Sequence, residues 1–173
     1  MKILLSESQI REGVERMAGE IAAAYSGRQL TIVGVLTGSV VLLADLIRRL
    51  DMPVRIGVIH ASSYRGGISA GELIVQSDWM PDINGREVLL LDDIFDTGRT
   101  LRLIASQMSD LGATSVKTAV LLVKEGRSEV QLVPDFRGFS IPDVFVVGYG
   151  MDYQDLYRNL PYVGAMEEGD LVG

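Results

Sequence analysis

Residues 88–101, VLLLDDIFDTGRTL, are the most informative segment of the chain for chemistry. An apolar run at 88–91 leads into two adjacent carboxylates, Asp92 and Asp93. Three residues later come Asp96, Thr97, Gly98, Arg99 and Thr100, where a helix is expected to open. Gly98 permits a tight turn, so that successive backbone N–H groups can converge on a phosphate at the helix N-terminus. Thr97 and Thr100 add hydroxyl donors. Paired acids repel a phosphate but suit ribose hydroxyls and a magnesium ion. The plainer alternative makes Asp96 or Thr97 a helix N-cap, which explains one residue and leaves two more acids at the same edge unexplained.

The elements that must position this segment alternate between strand and helix. An N-terminal helix is marked by a capping box at Ser6 and Gln9 and by Ile10, Val14, Met17, Ile21 and Tyr25 at helical spacing, with Gly27 as C-cap. Residues 30–36 (LTIVGVL) form a strand ending in Thr37, Gly38 and Ser39, and 40–50 a helix with Arg48 and Arg49 in its last turn. Strands follow at 54–60, carrying the single His60 as a structural residue, and at 72–76 in shorter form. The strand at 88–91 precedes a helix over 99–111, and two further strands fall at 115–123 and 144–147. Continuous apolar strands separated by helices imply an α/β fold, a parallel sheet flanked by helices on both faces. In such sheets ligands bind beyond the carboxyl ends of the strands.

With 173 residues, no repeat and no linker-like tract, the whole of residues 1–173 reads as a single domain with a continuous core. The hydrophobic fraction of 47% opposes disorder, and no apolar run reaches bilayer length. The N-terminus lacks a signal-peptide pattern and there are no cysteines, so a cytoplasmic location is expected, without a membrane partner or disulfides. A net charge of −7 counts against nucleic acid as a partner. It leaves open the binding of anionic phosphates through backbone N–H groups and magnesium.

Residues 88–101 resemble the phosphoribosyl diphosphate motif of type I phosphoribosyltransferases: four apolar residues, two acids, two apolar residues, then Asp-Thr-Gly and a Thr. The first acid here is Asp92, where relatives more often carry Glu. Three further segments resemble the hypoxanthine-guanine phosphoribosyltransferases in particular. Leu36-Thr37-Gly38-Ser39 is similar to their pyrophosphate loop, in which the peptide Leu36–Thr37 would be cis and in which many relatives have Lys in place of Thr37. Ser62-Ser63-Tyr64-Arg65-Gly66-Gly67 resembles their mobile loop, which closes over the site. The run from Lys124 to Arg158, with Pro134-Asp135-Phe136, Ile141-Pro142-Asp143, Phe145-Val146-Val147-Gly148-Tyr149 and Asp152-Tyr153, is similar to their purine-binding half.

What the resemblance implies is specific. The fold is the type I phosphoribosyltransferase one, a Rossmann-like core with a small hood region. The activity is purine salvage: transfer of the 5-phosphoribosyl group from phosphoribosyl diphosphate to hypoxanthine or guanine, with Mg2+ as cofactor and release of pyrophosphate. Asp96 is implied as the catalytic acid/base. Phosphoribosyl diphosphate falls to Asp92, Asp93, Asp96, Thr97, Gly98, Arg99, Thr100, Thr37, Gly38 and Arg158. Lys124 donates to the purine 6-oxo group, Phe145 stacks on the ring, and Val146 and Asp152 read the base edge. Metal contacts fall to Asp92, Asp93 and Asp152, and the mobile loop to Ser63 and Tyr64. Val144 stands where relatives often have Lys, and Lys124 is one of only three lysines. A homodimer or homotetramer is the implied assembly. Competing readings are a xanthine- or guanine-preferring relative, an RNA-binding regulator on the same fold, and a nucleotide-binding module without catalysis.

Overall fold

A computed structural model describes residues 1–63, 73–76 and 79–170. The chain opens with a strand, β1 (Lys2–Leu5), then helix α1 (Glu7–Ala24). Ser6 and Gln9 close the expected capping box, and α1 turns Ile10, Gly13, Val14, Met17, Ala18 and Ile21 inward at three- and four-residue spacing. Its C-cap is Tyr25 rather than Gly27, which follows two residues later with φ +71° and reverses the chain.

The main sheet has six strands in the order β4-β3-β2-β5-β6-β7. They are β2 (Leu30–Leu36), β3 (Val54–Ser63), β4 (Leu73–Gln76), β5 (Glu87–Phe95), β6 (Ser115–Lys124) and β7 (Phe136–Ile141). All neighbours are parallel except β4, which runs antiparallel to β3. Helix α2 (Val40–Ile47) crosses from β2 to β3, and α3 (Arg99–Asp110) from β5 to β6. Because β3 lies on one side of β2 and β5 on the other, the strand order reverses at β2–β5, and the loops after these two strands open the crevice where doubly wound sheets bind ligands.

Alternation along the strands divides the core between the two faces. Ile32, Leu89 and Leu91 join α1 and α2 on one face; Val33, Val88 and Leu90 join Leu101, Ile104 and Met108 of α3 on the other. Each such buried aliphatic side chain contributes about 1.5–3 kcal/mol. A smaller sheet of order β1-β9-β8, with β8 at Val146–Val147 and β9 at Val163–Ala165, forms a cap of its own.

Two expectations are corrected. The strand expected at residues 144–147 is only the two-residue β8 and belongs to the small sheet. The parallel position beside β6 is taken by β7, FRGFSI, whose alternating burial suits an edge strand and lacks a continuous apolar signal. Helix α2 ends at Ile47 instead of running to residue 50, because i→i−3 bonds from Arg49 and Leu50 tighten its last turn. Among the described residues no helix is long and apolar enough to cross a membrane.

Candidate active site

Four strand ends and one loop build the site at the carboxyl edge of the sheet. After β2 the peptide Leu36–Thr37 is cis, as the resemblance implies. Thr37 is exposed, and Gly38 lies directly on Asp93: a Cβ at Gly38 would overlap the Asp93 carboxylate. Ser39 starts α2 with its hydroxyl donating to the Val35 carbonyl at 2.6 Å, so no side chain caps this helix.

Strand β5 brings Asp92 and Asp93 side by side. The Asp93 N–H donates to Asp92 Oδ1 at 2.9 Å and the Ile94 N–H to Asp93 Oδ1 at 2.8 Å. Burial, and then the neighbouring Asp93 charge, push the Asp92 carboxyl well above the usual carboxylate range. Asp93 is also raised, chiefly by burial, with the Arg158 charge among the opposing influences.

Asp96, one turn further on, has opposite surroundings. Gly98 stands at the N-cap of α3 with φ +78°, and no side chain caps the helix, so Asp96 has no capping role. Its Oδ1 accepts from Arg127 Nε at 2.9 Å and its Oδ2 from Lys124 Nζ at 3.3 Å. The same two cations reach Asp143 at 3.5 and 3.6 Å, closing a square of alternating charges. Burial alone would raise the Asp96 carboxyl, but the hydrogen bonds from Arg127 and Lys124 outweigh it and hold Asp96 below its ordinary range.

The remaining side of the site comes from the loop around β8. Phe145 is 47% exposed, unusual for a large aromatic at a strand end, and Tyr153 meets it edge-on at 5.7 Å. Beyond β8, Gly148, Tyr149 and Gly150 all have positive φ, and a Cβ at Gly150 would overlap the Gly38 carbonyl. Arg158 donates to the Gly150 carbonyl at 2.8 Å and pairs with Asp152 at 2.8 Å, so this fold-back brings a guanidinium beside the Gly38–Asp93 contact. The Tyr149 hydroxyl fixes the loop to α2 by donating to Asp45 at 2.6 Å; burial, then that bond, raise its pKa strongly.

Asp93, Asp96, Lys124, Phe145, Val146 and Asp152 line one cavity of about 210 Å³, together with Ile94 and Met151. Sequence reasoning thus placed six residues on a common surface. Asp92 sits beside Asp93 on β5, while Gly38 and Arg158 join the site through Asp93 and Asp152. Arg99 has its side chain elsewhere than expected: it pairs with Glu129 and lines a separate groove with Arg102, leaving only its backbone at the turn after β5. Ser63 closes β3, whereas Tyr64 lies outside the described residues. Arg127 and Asp143 were not foreseen as contacts of Asp96 and Lys124. The visible signal was a second cation three residues past Lys124, across the turn at Gly126.

Among the described residues no three acids converge as a ready-made metal site. The residues present nevertheless suit a hard cation, since Asp92 and Asp93 are adjacent, half-buried and raised in proton affinity, and Asp92 forms no ion pair among the described residues.

Comparison with known proteins agrees with this geometry. Residues 2–154 match the family described as Phosphoribosyl transferase domain. The hypoxanthine-guanine phosphoribosyltransferase of Streptococcus pneumoniae is 39% identical over 96% of this chain and 93% of its own length. That of Staphylococcus epidermidis is 41% identical over 95% and 93% respectively. The crystal structure of a hypoxanthine phosphoribosyltransferase from Staphylococcus aureus superposes with a TM-score of 0.93 at 35% identity, covering 100% of this chain and 95% of that one. A Bacillus anthracis hypoxanthine-guanine phosphoribosyltransferase gives 0.91 at 36%, covering 96% and 99%.

Proposed function

The chain belongs to the hypoxanthine-guanine phosphoribosyltransferases, within the phosphoribosyl transferase family, and we propose from that premise which of its residues carry the reaction. The enzyme serves purine salvage, transferring the 5-phosphoribosyl group from phosphoribosyl diphosphate to a 6-oxopurine and releasing pyrophosphate. The assignment of residues rests on one observation above all. Asp96 and Lys124 meet at 3.3 Å in a cavity faced by an exposed Phe145, beside the paired acids of β5.

The purine stacks on Phe145, and Lys124 donates to its 6-oxo group. An ammonium donates and cannot accept, so the same contact opposes the amine of adenine. Asp96 takes the proton of the imidazole ring as the ribose C1 bond to pyrophosphate breaks and the C1–N bond forms. For this it must exchange its contact with Arg127 for the substrate, while Lys124, with three N–H donors, turns from Asp96 and Asp143 toward the carbonyl. Asp92 and Asp93 hold the ribose hydroxyls, the N–H groups of residues 97–100 hold the 5-phosphate, and the backbone at Gly38 with Arg158 holds pyrophosphate. Magnesium would be held by Asp92, Asp93 and Asp152 together with substrate oxygens and water, and supplies neutralisation of the leaving group's charge. The protein's own share is positioning and fixed electrostatics. The working assembly is a homodimer or homotetramer.

A product assay with phosphoribosyl diphosphate, magnesium and each purine tests the reading. Hypoxanthine and guanine should yield nucleotide and pyrophosphate, adenine should not, and excess chelator should stop turnover until magnesium is restored. Undiminished turnover in chelator overturns the metal assignment, and equal use of adenine overturns the role of Lys124.

A further inference from the structure

The opposite end of the sheet carries a second concentration of charge. Arg28 precedes β2, Arg55 is the second residue of β3, and Arg86 precedes β5. These three strands are neighbours and parallel, with Leu30 paired to both Val54 and Glu87, so the three guanidiniums reach one edge. They line a cavity of about 320 Å³ with Gln29, Thr31 and Glu87. Six residue steps along β2 put this edge about 20 Å from Leu36 and the active site.

Most of the charge here is uncompensated. Glu87 is the single carboxylate lining the cavity, and it is already engaged by Arg28 at 2.6 Å and by the Ser115 hydroxyl at 3.4 Å. Arg55 and Arg86 form no ion pair among the described residues. Two buried side-chain polar atoms lack a hydrogen-bond partner among the described residues, and both belong to this corner: Arg86 Nη1 and the hydroxyl of Tyr25, whose ring lies 5.1 Å beneath the Arg28 guanidinium. Buried donors without partners are costly, and a chain of net charge −7 gathers three guanidiniums around one hollow against its overall trend. Guanidinium forks match phosphate oxygens in geometry as well as charge.

We propose that the amino edge of the sheet is a second anion site, in which Arg28, Arg55 and Arg86 hold a phosphate group of a small molecule. The site is independent of the reading of the carboxyl edge. Free phosphate, pyrophosphate and a nucleoside monophosphate all carry the group, and the cavity volume admits each group's phosphate.

The test is amide-resolved NMR on the full chain, titrated separately with inorganic phosphate, pyrophosphate and a nucleoside monophosphate. Saturable shifts are expected at Gln29, Arg55 and Gly85, apart from any at residues 97–100 and Gly38. Arg55→Gln, at an exposed position, should weaken the amino-edge response about tenfold and leave the response at 97–100 unchanged. Arg102→Gln, an arginine on the outer face of α3, should change neither. The probe that saturates at the lowest concentration identifies the source of the phosphate. Shifts confined to the carboxyl edge overturn the proposal, as does an amino-edge response that never saturates or survives Arg55→Gln, which marks an adventitious ion only.

Discussion

Two groups of acids lie within five residues of each other on and after β5, and their electrostatics are opposed. Asp92 and Asp93 share a half-buried corner in which burial raises both proton affinities, and the neighbouring Asp93 charge raises that of Asp92 further. Asp96 stands in a square with Asp143, Lys124 and Arg127, where the two cations outweigh burial and lower its proton affinity. The first pair is costly to ionise in the free protein, a cost that a cation and ribose hydroxyls would offset in the proposed roles. The second is satisfied in the free protein and must be opened before it can act. Under the proposed roles, phosphoribosyl diphosphate with metal relieves a cost on binding, whereas the purine has to displace existing contacts. That difference favours entry of phosphoribosyl diphosphate first.

The sharpest way to break the contrast is Asp96→Asn. Asn retains a hydrogen-bonding oxygen but cannot accept a proton, so kcat should fall roughly 10²- to 10⁴-fold with Tm nearly unchanged. Since Gly98 already occupies the N-cap, loss of a helix cap cannot account for such a result. A normal kcat would remove Asp96 from the chemistry and leave the phosphate turn standing.

Lys124→Ala removes one corner of the square. The KM for hypoxanthine and guanine should rise roughly 10- to 100-fold, the scale of one charge-assisted hydrogen bond, with the KM for phosphoribosyl diphosphate little changed. An equal rise in both would make Lys124 a structural residue.

Asp92→Asn has the smallest expected effect and sharpens the other half. A carboxyl whose proton affinity is raised by folding adds stability below its unfolded-state pKa, and that contribution is lost as pH rises through its raised folded-state value. At pH 7 the substitution should therefore raise the Tm of the free protein, by roughly 2–4 °C if about 1 kcal/mol of repulsion is relieved. The gain should vanish toward pH 3, and the KM for phosphoribosyl diphosphate should rise. A lower Tm at pH 7 would show that the pair is not repulsive.

The fold was legible wherever burial is two-sided. Strands β2, β5 and β6 read as continuous apolar runs because helices cover both faces, while β7, an edge strand, alternates and passed unnoticed. β1 and β9 are four and three residues long, too short to establish a period. At the site, Asp92, Asp93 and Asp96 were legible because turn chemistry fixes them locally. The square around Asp96 was not, since it depends on how the turn after β6 folds back over the turn after β5. Arg99 was read from its neighbours in the motif, but a helix side chain points where its own face directs it, here toward Glu129.

The contact of Gly38, Asp93 and Gly150 has one more consequence. Two of its three walls are bare main chain, packed so closely that a methyl group would not fit at either glycine. Main chain already fixed by folding has no rotamers to surrender when a ligand docks, whereas a lysine in place of Thr37 would lose about 1.5–2 kcal/mol of side-chain freedom on ordering. In the proposed role of this corner, pyrophosphate is held by backbone, and the chain gives up a charge and with it an entropic penalty.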